Sequence, residues 1–230
     1  MNKKLLLSVV AIPLLAGGVI YYSSLESNSS EEATLAQSTK VRVNDVSINS
    51  DNLDSTTTSN PKTIRGELEV YPFEEGVNKA DLIVKVKIVG KIGEVSDPVP
   101  KTVFNTQILS AQKDDPTLDS ESISIMQQGN SEVLFNGNEL FKENEEYILF
   151  LKKAVGPVAE EYPNLYWILG EESNMYKSIS NNLVEKQGHI DEELKDVESN
   201  QISTLEENTS TQILIEEEFI EKIKSITNNY

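Results

Sequence analysis

The stretch ADLIVKVKIVGKIGEV, Ala80 to Val95, limits the fold more than any other part of the chain. In an extended backbone Leu82, Val84, Val86 and Ile88 point one way, and Ile83, Lys85, Lys87 and Val89 the other. A period of two is the mark of a strand with one buried face. Lys85 and Lys87 are expected on the wet face, where they discourage edge-to-edge pairing with another chain. Gly90 and Gly93 mark a bend or bulge, at which a long strand can coil around a small barrel.

More strands are expected at short intervals: KTVFNTQILSAQK (Lys101 to Lys113), SISIMQQ (Ser122 to Gln128) and YILFLKK (Tyr147 to Lys153). LYWILG (Leu165 to Gly170) and MYKSIS (Met175 to Ser180) suggest a hairpin across EESN. Short, punctuated strands of this kind predict a mainly β domain, a small barrel or sandwich, over residues 63–188. Residues 189–230 read as a helical C-terminal segment. There Thr209 and Gln212 have capping-box form, and Ile215, Phe219, Ile220, Ile223 and Ile226 make one helical stripe. The stripe is expected to dock on the domain's own core, with a partner-binding helix as the alternative.

The chain opens MNKKLLLSVVAIPLLAGGVIYYSS, two lysines ahead of an uncharged apolar run. Residues 1–22 are expected to direct export, either as a cleaved signal peptide or as a retained membrane anchor. Residues 23–62 are rich in Ser, Thr, Asn, Asp and Glu and lack aromatic residues, so a flexible, disordered spacer is expected. KVRV and VSI within it are candidates for a short strand. With 38 acidic and 20 basic residues the formal net charge is -18, a field that repels nucleic acid and anionic headgroups. Membrane contact is therefore expected only through residues 1–22. The absence of cysteine excludes disulfides, thiolate metal sites and a cysteine nucleophile.

The order ADLIVKVKIVG, TVFNTQIL, ISIMQQG and LFKENEEYILFLK resembles that of netrin-like domains and tissue inhibitors of metalloproteinases. It also resembles exported proteins of Gram-positive bacteria. The resemblance covers roughly Ala80 to Leu169 and implies an OB-like five-stranded barrel. Metalloproteinase inhibitors of that kind cap a catalytic zinc with an N-terminal cysteine. This chain has none, so no inhibitory residue carries over.

Side chains that suggest chemistry are few. His189 is the sole histidine and is expected in a solvent-facing loop; no metal site, cofactor or catalytic residue is expected. The acids of DDPTLDSES (Asp114 to Ser122) lack the order of a calcium loop and predict a solvated turn. Tyr162, Tyr166 and Trp167 form an aromatic cluster, read as a ligand platform or, for Trp167, as part of the barrel core. The function expected is an exported or membrane-anchored extracytoplasmic binding module without catalysis, meeting a cell-surface protein or peptide. The alternative is a cell-envelope hydrolase with paired carboxylates, one of raised pKa.

Overall fold

The computed structural model describes residues 61–96, 99–180, 182–199 and 211–228. The expected leader at 1–22, the strands in KVRV and VSI, the spacer up to residue 60 and the Thr209 cap lie outside the described residues. Among the described residues no helix is long and apolar enough to cross a membrane. In chain order the elements are β1 (Lys62–Ile64), α1 (Phe73–Lys79), β2 (Leu82–Val95), β3 (Lys101–Lys113), β4 (Ser122–Gln128) and β5 (Val133–Phe135). There follow β6 (Glu146–Lys153), α2 (Pro157–Glu161), β7 (Leu165–Ile168), β8 (Met175–Ser180), β9 (Leu183–Lys186), β10 (Gln212–Ile215) and α3 (Glu216–Thr227).

Five strands close into a barrel. β2 pairs antiparallel with β3 and β6, and β3 pairs antiparallel with β4. β7 shuts the ring, parallel to β4 and antiparallel to β6. The mainly β chain thus has the closed, mixed five-stranded barrel and C-terminal helix of an OB-like fold. β2 follows the curve through register shifts at Ile83/Val84, Lys85/Val86, Ile88/Gly90 and Lys91/Gly93, each shift bending and twisting the strand.

Two hydrophobic clusters share the wall made by β2 and β6. Leu82, Val84, Val86, Leu149 and Leu151 point into the barrel with Phe104, Ile125 and Tyr166. Ile83, Ile148 and Phe150 point outwards into a second cluster with Phe73, Val77, Tyr176, Phe219 and Ile223. The start of β2 is therefore buried on both faces, which corrects the expectation of one wet face. Lys85 does not serve as an edge guard: its Nζ lies 2.6 Å from Glu216 of α3 and 3.5 Å from Glu146.

The C-terminal stripe docks as expected. Phe219 is fully buried, its ring centroid 4.4 Å from Tyr176 and 5.7 Å from Phe73. The helix starts later than the sequence pattern suggests, because Gln212–Ile215 forms β10 against β9. Ile213 and Leu214 are buried in that strand, and the Gln212 amide bonds the backbone of Asp191 in both directions, at 2.9 and 3.0 Å.

The hairpin expected across EESN does not form. β7 and β8 both pair with the same edge of β6 and not with each other: Leu151 faces Ile168 and Leu149 faces Met175. After Leu169, whose amide still donates to the Phe150 carbonyl at 2.9 Å, residues 170–174 leave the ladder and the chain returns at Met175. β8 makes its hairpin with β9 instead.

Candidate functional site

Register places one row of side chains on the outer wall of the barrel. Gly93 of β2 faces Val103 of β3, Val103 faces Met126 of β4, Met126 faces Trp167 of β7, and Trp167 faces Lys152 of β6. Paired residues share a face, and the neighbours Phe104, Ile125 and Tyr166 fill the inside. Trp167 is 38% exposed and Met126 half-buried. This corrects the expectation that Trp167 lies in the barrel core; the adjacent Tyr166 occupies that place and is fully buried. Tyr162 folds over the far end of the row. Its hydroxyl sits so close to Gly93 that a Cβ there would meet it at 2.1 Å, so a side chain at that position would displace the phenol.

Of the three aromatic candidates, then, Trp167 and Tyr162 lie on the outer row and Tyr166 does not. Val103 and Met126, which complete the row, come from strands distant in sequence; Val103 is fully buried, so Met126 alone of the two is open to solvent. No periodicity within either strand sets them apart.

Beside Lys152 opens a cleft of about 720 Å³ lined by Lys79, Asp81, Lys113, Asp115, Lys152 and Lys153. Its polar groups are largely bound to the protein itself. Lys113 Nζ donates to the carbonyls of Val77, Asn78 and Ala80 at 2.9, 3.1 and 2.6 Å, closing the C-terminal end of α1. Asp81 accepts from Lys152 Nζ and, at 2.9 Å, from the Lys153 amide. Asp115 accepts from Tyr166 Oη at 2.7 Å and from the Thr117 amide and hydroxyl at 2.8 and 2.7 Å. Burial works against its charge, but these hydrogen bonds and the Lys153 ammonium hold the carboxyl well below the usual range. The acidic loop is accordingly not a wholly solvated turn: Asp115 is buried at the barrel mouth.

The carboxyl with a raised pKa lies elsewhere. Glu171, between β7 and β8, is buried, and burial with the nearby Glu172 charge pushes it up to about 8 against the pull of Gln128 N–H and Lys101. Its Oε1 accepts from the amide of Gln128 at 3.2 Å. It does not line the cleft. His189 is exposed. Among the described residues no group of three or more His, Asp or Glu is placed to hold a metal ion.

No protein-family model matches the chain, and none of the curated proteins matches it. What stands is the architecture: an OB-like barrel with an exposed tryptophan on its outer wall.

Proposed function

We propose that this chain is an extracytoplasmic binding module without catalysis, exported through residues 1–22 and either released or retained at the membrane. Its ligand is an exposed segment of a cell-surface protein or a peptide, received on the outer wall at Trp167, Met126 and Tyr162. The observation that carries the reading is the exposed Trp167 beside Met126, at the rim of a polar cleft. An aromatic anchor flanked by polar groups is the usual make-up of a binding hot spot, and OB-type barrels receive ligands on this strand face and the adjoining loops. Ala154–Asn164, which carries Tyr162, is such a loop. Export rests on Lys3 and Lys4 ahead of the apolar run. A netrin-like relationship is part of the same proposal and rests on the strand order alone.

The test is selection of peptides from a displayed random library on the purified chain, followed by titration against Trp167→Ala. The variant should lose at least about tenfold in affinity, the scale of a hot-spot residue, with its melting unchanged. Selected peptides that bind the variant as tightly as the wild type would overturn the placement of the site. Release of products from cell-wall material, abolished by Asp81→Asn, would favour the hydrolase instead.

A further inference from the structure

Residues 170–174 are an excursion in the middle of a ladder, and the backbone is strained at Glu171. Gly170 and Glu171 have φ of 65° and 46°, and a left-handed glutamate is uncommon. At Gly170 a Cβ would meet the Glu69 carbonyl at 2.9 Å and Ser173 Oγ at 2.5 Å, so the turn is also sterically closed. Glu171–Asn174 forms a single 3-10 turn, tied by the Ser173 hydroxyl to the Gly170 carbonyl at 2.7 Å, by the Asn174 side-chain amide to the Leu169 carbonyl at 2.8 Å, and to β4 by the Glu171 side chain. The parallel seam between β4 and β7 ends at Met126 and Trp167. The Glu171 carboxyl takes the amide of Gln128, two residues further along β4, as a strand's carbonyl would.

The carboxyl sits among few groups able to compensate a charge. Lys101, the register partner of Gln128 on β3, faces it but donates to the Val99 carbonyl at 3.5 Å. Glu172, on the same turn, repels it and is held by the amides of Asn136 and Asn138 at 3.3 and 2.8 Å. The segment before α1 brings Glu69, bonded to the Tyr71 hydroxyl and near Lys79. Gln128 Oε1, on the residue whose backbone amide the carboxyl accepts from, is buried without a hydrogen-bond partner. On the other side of the turn the buried Lys186 donates to the Ser173 carbonyl at 2.6 Å, faced by Asp191 and Glu172.

We propose that Glu171 is a proton-operated latch: neutral, it pins residues 170–174 over the end of the β4–β7 seam, and ionised, it leaves and lets the turn open. Burying an unpaired carboxylate costs several kcal/mol, and the strained backbone favours departure once the charge forms. A carboxyl pushed up to about 8 places the change at mildly alkaline pH. Because Trp167 and Met126 form the last pair of the seam, opening also reshapes the outer wall. That consequence rests on reading the wall as the binding surface; the latch does not.

The test needs no ligand. Amide exchange of Gln128 and Ser173 is measured at pH 6.5 and 9.5 and normalised to the unfolded chain. Protection should fall at least about tenfold at the higher pH, the signature of a local opening, and Glu171→Gln should keep it. An equal fall in the variant, or none in the wild type, would overturn the latch. Should the variant not fold, the Gln128 amide shift of the wild type is titrated by NMR. A shift that titrates near pH 8 together with lost protection supports the latch; one that titrates with protection intact refutes it, since Glu171 then ionises in place.

Discussion

Burial keeps the Glu171 carboxyl largely protonated at neutral pH in the fold, while in the unfolded chain it ionises near 4.5. Between those values the folded state binds more protons, so stability is full below about 4.5 and drains away as pH rises to about 8. The slope is up to about 1.4 kcal/mol per pH unit. Lys186 acts in the opposite sense higher up. Burial lowers it from 10.5 to about 8, so its penalty is relieved as pH rises above 8. Denaturant melts from pH 5 to 8 should show wild-type stability declining and Glu171→Gln nearly flat; parallel declines would mean that another group takes up the proton. Asp115 works at the acid end. Held below its ordinary 3.8, it stabilises the fold above that value and loses its contribution on acidification.

The elements differ in how legibly the sequence announces them. β2, β3, β4 and β6 follow from alternation and turn residues, and the α3 stripe from its helical spacing. That stripe predicts its own test: Phe219→Ala, which opens a cavity among Phe73, Phe150 and Tyr176, should cost about 3–5 kcal/mol in a denaturant melt. A loss under about 1 kcal/mol, the scale of a minor substitution, would mean that the helix is loosely held. Other features were not legible for physical reasons. EESN resembles a hairpin turn, and only β6, whose one edge serves both β7 and β8, shows that the chain passes through an excursion instead. In LYWI the flanking Leu165 and Ile168 are both buried, so alternation cannot say which aromatic goes inside. Pairing with β4 and β6 decides for Tyr166. Tyr162 and Trp167 stood out by aromatic density. Glu171 is one of 38 acids, and nothing local marks the one whose backbone is left-handed.

At the scale of the whole domain, β2 and β6 are walls common to both hydrophobic clusters, so neither cluster can come apart alone. Leu149→Ala on the barrel side and Phe150→Ala on the helix side should each cost about 2–5 kcal/mol. In each case Trp167 fluorescence and far-ultraviolet circular dichroism should still melt together, as in a two-state domain. Separated transitions would mean that the clusters unfold independently. The closure by β7 has a consequence for the order in which the chain is made. Until Leu165–Ile168 has emerged, β4 and β6 are the open margins of an unfinished four-stranded sheet, and unpaired margins invite pairing with other chains. Four residues then cover Ser124–Met126 of one margin and Leu151–Lys153 of the other, and Tyr147–Leu149 on the same edge of β6 waits for β8. The hazardous interval for a nascent chain therefore runs from the delivery of Lys153 through that of Ile168 to the arrival of β8, and a translational pause placed there would lengthen it.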